Sequence, residues 1–254
     1  MVNPTQTKQD EITFFNQYEN YDALPKKFYE AVFESQKISL DGAGKTIIEI
    51  GCGSGAWGIR LAAKGFTVVG LELSTVLAKS AKQQAKKLNA DFTVIVCDAE
   101  KLPIKPESIQ ICYCGYVLHH FKALDTLLSE LNTILKPYGV LYAAEPNGSS
   151  PVIALQRKLM IALPQGWVME KRIATSNERV HTIKKYLQCF NFNDFSNVCY
   201  DFVNYQSEEK KPLIIKLNLM SLLMAVRVVA YTVLPKHKFK IIGQANLLIF
   251  ASKM

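Results

Sequence analysis

The sequence predicts an α/β fold, a doubly wound and mostly parallel sheet with helices on both faces. Three observations predict it. Short apolar runs alternate with helix-compatible segments from residue 46 to residue 147, the pattern of a parallel sheet. The first run, Ile47–Ile50, breaks into three alternating glycines, Gly51, Gly53 and Gly55, and a helix-compatible segment, Ala56–Lys64, follows at once. Gly51, Glu72, Asp98, Gly115 and Glu145 all fall at the ends of predicted strands, where ligands bind in sheets of this kind.

A chain of 254 residues, 49% hydrophobic and 20% charged, is long enough for one large α/β domain, or one domain with a cap. The net charge of +8 is unevenly spread. Residues 1–150 carry 15 basic and 16 acidic side chains, and residues 151–254 carry 15 and 6. The basic C-terminal part is open to an anionic membrane surface, an acidic substrate, nucleic acid or a solvated face. Cys52, Cys97, Cys112, Cys114, Cys189 and Cys199 show no paired zinc spacing, and no metal site is expected from them. Most read as small buried hydrophobes. Met1–Glu11 lacks the apolar core of a signal peptide, so a cytoplasmic setting is expected. Basic residues do not interleave with a stacking platform, and no nucleic-acid partner is expected.

Residues 1–40 are rich in aromatics. Pro25 can start a helix on which Phe28, Val32 and Phe33 share a face. After the glycine turn, Phe66–Glu72 reads as a second strand ending in a carboxylate placed to accept from ribose hydroxyls. Ser74 caps a helix to about Leu88. The third strand, Phe92–Cys97, ends in Asp98-Ala99-Glu100, and the fourth, Ser108–Cys114, runs into Gly115-Tyr-Val-Leu-His-His-Phe121. Leu124–Leu135 is an amphipathic helix that stops at Lys136-Pro-Tyr-Gly139. A fifth strand, Val140–Ala144, ends in Glu145-Pro-Asn147.

The glycines alone fit two cofactor classes. Gly51, Gly53 and Ala56, or Gly53, Gly55 and Gly58, satisfy the dinucleotide fingerprint. The phrase Glu49-Ile-Gly-Cys-Gly-Ser-Gly55 also resembles the first motif of the class I S-adenosylmethionine (SAM)-dependent methyltransferases. Asp98-Ala99 with Leu102-Pro103, Leu118-His-His-Phe121, and Leu135-Lys-Pro-Tyr-Gly139 followed by Glu145-Pro-Asn147 are similar to that family's later motifs, in the same order. One departure is Gln110, where the family usually carries Asp. The resemblance implies a seven-stranded, Rossmann-like sheet with an antiparallel last strand. It also implies SAM as cofactor, with S-adenosyl-L-homocysteine (SAH) as product. The cofactor-binding set it implies is Tyr18, Glu49, Gly51, Cys52, Gly53, Gly55, Glu72, Leu73, Asp98, Ala99, Gly115 and His120. Asp98 would read the adenine, the backbone at Gly115 would lie under the methionine part, and residues 1–40 would form a helical lid.

His119, His120 and Glu145 are the candidates for a general base, since histidine titrates near neutral pH. Tyr21, Tyr116, His119, Asn147 and Trp167 are the candidate substrate contacts. The SAM-binding core is expected over 41–147, completed by strands near 198–205 and 245–251. Insertions at 148–197 and 206–244 are expected to make a helical cap. Leu213–Leu234 is an apolar run of membrane-spanning length interrupted by Lys216 and Arg227. It reads first as a cap helix over an apolar pocket and second as a helix on a membrane surface, with possible peripheral membrane contact through 208–240. The expected activity is methyl transfer to O, N or C of a small or medium, apolar acceptor: lipid-like, quinone-like or a secondary metabolite. The alternatives are an NAD-dependent oxidoreductase, or an inactive SAM-binding or membrane-associated partner protein.

Overall fold

The computed structural model describes residues 4–18, 26–36, 42–151, 153–155, 158, 178–203 and 246–253. Two helices, α1 (Pro4–Phe15) and α2 (Lys26–Ser35), precede the sheet. The chain then runs through β1 (Thr46–Ile50), α3 (Ala56–Ala62), β2 (Thr67–Glu72), α4 (Thr75–Leu88), β3 (Phe92–Val96) and β4 (Ile109–Gly115). A 3₁₀ turn (Leu118–His120), α5 (Leu124–Ile134), β5 (Leu135–Pro146), α6 (Ile183–Phe192), β6 (Phe195–Phe202) and β7 (Asn246–Lys253) complete it. The seven strands lie in the order β3-β2-β1-β4-β5-β7-β6. The first five are parallel, and β7 runs antiparallel to both β5 and β6. This is the seven-stranded sheet with an antiparallel last strand that the sequence predicts.

Each local feature has a sequence cause. Ser74 caps α4, its Oγ accepting from Leu77 N at 3.1 Å, and Asn89 ends the helix in the left-handed region. Thr182 caps α6 through Lys185 N. Ile48, Ile50, Cys112, Cys114 and Leu141 point to one side of the sheet, packing with Leu124, Leu127, Leu128 and Leu131 of α5 and Tyr186, Cys189 and Phe190 of α6. Ile47, Val68, Val94 and Tyr113 point to the other, packing with Phe28, Val32 and Phe33 of α2 and Trp57 and Leu61 of α3. Period-two alternation feeds both faces, as a doubly covered sheet requires.

Two boundaries differ from the expected ones. β5 begins at Leu135 rather than Val140. Leu135 pairs with Ile109 and the ladder resumes at Ile111–Val140, so Lys136–Gly139 bulges out of the strand, with Tyr138 at φ 61°. Pro137, which has no N–H for a ladder, sits in that bulge. β6 covers 195–202 rather than 198–205, because Phe195 packs on the Phe190 ring at 5.3 Å and anchors the strand start. β6 and β7 pair antiparallel at one edge of the sheet, with β7 between β5 and β6.

Segment 206–244, including Leu213–Leu234, lies outside the described residues, as do Tyr21 and Trp167. Among the described residues, no helix is long and apolar enough to cross a membrane.

Candidate functional site

The glycine loop leaves β1 through two left-handed residues, Gly51 at φ +63° and Gly53 at φ +55°. A Cβ on Gly51 would sit 2.4 Å from Val117 Cγ2, whereas one on Gly53 would meet nothing within 4 Å. The Gly53 side of the loop is therefore the bare, open face. Glu72, at the end of β2, ties the loop down. Its Oε2 accepts from Gly53 N and its Oε1 from Ser74 N, both at 2.8 Å. Burial holds its carboxyl above the ordinary value, partly offset by the backbone N–H groups of Ser74, Gly53 and Leu73.

The remaining predicted cofactor residues fall around this loop. Cys52 is buried, with its N–H donating to Leu71 O at 3.0 Å. Leu73 and Ala99 are half-buried at the ends of β2 and β3. Glu49 is fully buried behind the loop, and a Cβ on Gly58 would meet its Oε2 at 2.5 Å. Gly115 is buried against the Trp57 indole. Asp98 is partly exposed; its Oδ1 accepts from Glu100 N at 2.9 Å, and its Oδ2 takes a hydrogen bond from Lys8. Tyr18 is half-buried with its ring 5.3 Å from that of Phe14.

Lys8 is one of five residues that sequence reasoning missed. The helix α1 lies across the carboxyl ends of the strands. Lys8 forms ion pairs with Asp98 and Glu100, Glu11 Oε2 is 3.2 Å from His120 Nδ1, Phe15 packs edge-on to the His120 ring, and Asn16 Oδ1 accepts from Ser74 Oγ at 2.6 Å. Lys8, Glu11 and Phe15 recur at helical spacing, the signal that marks one face of α1. The fifth missed residue, Glu178, stands in a stretch with no periodicity to betray it.

At the ends of β4 and β5 the predicted base candidates converge. Glu145 is fully buried; its Oε1 accepts from Val117 N and Leu118 N, both at 2.8 Å, and its Oε2 is 2.7 Å from His119 Nδ1. Burial pushes its carboxyl up to about 7, against the Leu118 and Val117 N–H groups, which favour the charged form. His119 is buried, and its Nε2 lies 3.9 Å from Glu178 Oε2. The adjacent His120 ring centres 4.3 Å away. Burial works against a charged His120, but the carboxylates of Glu11, Glu178 and Glu145 outweigh it and hold its pKa above the ordinary value. The segment carrying Glu178 is pinned by Arg179 N donating to His119 O at 2.7 Å.

Tyr116, at φ 60°, stands beside this group with its ring 6.3 Å from His119 and stacked on Trp57 at 6.5 Å; its hydroxyl donates to Asn246 Oδ1. Asn147 is buried, and its Oδ1 accepts from Ser149 N at 3.0 Å in the turn that follows β5.

Residues 48–143 match the family described as Methyltransferase domain. The demethylmenaquinone methyltransferase of Oceanobacillus iheyensis is 32% identical over 107 residues, 41% of this chain and 45% of that protein. The malonyl-[acyl-carrier protein] O-methyltransferase of Hamiltonella defensa is 27% identical over 124 residues, 49% of this chain and 45% of that protein. The chain thus spans about half the length of the curated relatives it matches. A SAM-dependent methyltransferase structure from Archaeoglobus fulgidus superposes with a TM-score of 0.64 at 14% identity, covering 96% of this chain and 99% of that one, which establishes the fold. Residues 48–143 thus match a methyltransferase domain, within a chain whose fold is that of SAM-dependent methyltransferase structures.

Proposed function

We propose that the protein transfers a methyl group from SAM to a small or medium acceptor with apolar character. The observation that carries the proposal is the convergence, along one edge of the sheet, of a bare glycine loop, two strand-end carboxylates and a buried His–Glu pair. The residues present fit the cofactor. The open face at Gly53 admits a ligand to the backbone. Glu72 is placed to accept from ribose hydroxyls and Asp98 from an exocyclic amine. Bound there, SAM supplies an already activated methyl group on a sulfonium.

The chain's own part is binding, alignment and exclusion of water, which accounts for much of the rate in a reaction of this kind. Glu145 fixes the His119 ring by holding Nδ1, which assigns the proton to Nδ1 and leaves the Nε2 lone pair facing Glu178. The side of the His119 ring that faces Glu178 is where the acceptor is engaged. The quinone and acyl-carrier terms in the relatives' names support an apolar acceptor.

A transfer assay reading SAH formation tests the proposal. A panel of lipid-like and quinol-like acceptors is expected to be methylated, with Asp98→Ala and Glu72→Ala lowering the rate at fixed SAM. Methylation of polar acceptors alone would overturn the acceptor class. Turnover requiring NAD would overturn the reaction.

A further inference from the structure

One ring nitrogen from each of His119 and His120 and one oxygen of Glu178 lie within 4.8 Å of one another. Ligand atoms on a single ion at bond lengths of about 2.1 Å sit roughly 3–4 Å apart, so a small contraction brings all three onto one metal. The spacing of the six cysteines and four histidines in the sequence gives no hint of this, because the third member arrives from a segment nearly 60 positions downstream.

Two further features match what such sites require. Glu145 is hydrogen-bonded to His119 Nδ1 at 2.7 Å, and the Glu11 carboxylate stands 3.2 Å from His120 Nδ1 as a charge partner. A carboxylate on one ring nitrogen fixes the tautomer and turns the other nitrogen's lone pair outward, the arrangement found behind most metal-bound histidines. The group also gathers Glu11, Glu145 and Glu178, all under 9% exposed, around two imidazoles. Buried carboxylates need compensating charge, and a divalent cation supplies two units of it at one point.

We propose that His119, His120 and Glu178 form a binding site for a divalent transition metal of the zinc, cobalt, manganese or iron(II) type. Two imidazoles and one carboxylate leave coordination positions open, and an oxygen of the methyl acceptor fills one of them. That last clause rests on the proposed methyltransferase function; the metal site does not. Glu145 and Glu11 act as positioning residues. Because Glu11 comes from α1, the helix across the strand ends also completes the surroundings of the ion.

The test is titration of the chelator-treated full chain with Co²⁺, read by the visible d–d absorption of the bound ion, with SAH binding followed separately by calorimetry. The expected result is one Co²⁺ per chain with a low-coordinate spectrum, competed by Zn²⁺. Glu178→Gln and Glu178→Ala each lower the affinity at least tenfold while SAH still binds. Absence of a d–d band, or unchanged Co²⁺ affinity in both variants, in protein that binds SAH would overturn the site. Stoichiometric Co²⁺ binding in protein that fails to bind SAH would uphold the site and count against the methyltransferase reading alone.

Discussion

Glu145 makes four polar contacts from a position with no exposure: two backbone N–H groups, His119 Nδ1, and the Tyr186 hydroxyl at 3.4 Å. Glu145→Gln keeps the shape and changes the proton inventory. An amide nitrogen facing His119 Nδ1 donates to it, moves the ring proton to Nε2 and removes the outward lone pair. Co²⁺ affinity should fall about 10–100-fold with the near-ultraviolet circular dichroism retained; unchanged affinity would show that Glu145 does not set the tautomer. Glu49 gives a different prediction. Burial first, and then the charge of Glu72, raise its carboxyl well above the ordinary value. The folded chain therefore holds a proton that the unfolded chain releases above about pH 4.5. A raised folded pKa contributes stability that is present at low pH and lost as pH rises toward the folded value. Glu49→Gln removes that dependence, so its melting temperature relative to wild type should climb between pH 5 and pH 8. A constant difference would contradict a protonated Glu49.

At the scale of elements, α1 and the segment 178–182 decide access and assembly. Lys8 occupies the Asp98 carboxylate that an adenine amine would use. The pair is more than a third exposed, so it is worth under about 1 kcal/mol, and Lys8→Ala should tighten SAH binding about two- to fivefold. Weaker binding would mean that Lys8 supports the cofactor. Gly148 lets the Glu178 segment dock: its N–H donates to His181 O at 3.2 Å, and a Cβ there would meet that oxygen at 2.3 Å. Gly148→Ala should destabilise by about 1–3 kcal/mol and weaken Co²⁺ binding through displaced Glu178, measured by denaturant unfolding and by the same titration. The strands, α4 and the glycine loop were legible in the sequence because caps, β-branched runs and turn glycines are local signals. The contacts of Lys8, Glu11 and Glu178 were not. They join residues 58 to 109 positions apart and depend on how elements dock, which no local pattern encodes.

For the whole molecule, the sheet has to be covered on both faces before its carboxyl edge can hold buried acids such as Glu72 and Glu145. Leu128 lies fully buried between the sheet and α6, and Leu128→Ala should cost about 2–5 kcal/mol in one cooperative unfolding transition. A split transition would show that the two faces fold independently. The class of fold was readable from alternation alone, whereas the placement of β7 between β5 and β6 depended on long-range pairing. The choice between a dinucleotide and SAM rested on Asp98 and the Glu145-Pro-Asn147 strand end, since the glycines suit both.

The most direct measurement is calorimetric titration of the purified chain with SAM, SAH and NAD in parallel. Micromolar binding of SAM and SAH, abolished by Glu72→Ala and by Asp98→Ala and absent for NAD, is the predicted result. Binding of NAD alone would contradict it and assign the glycine loop to a dinucleotide.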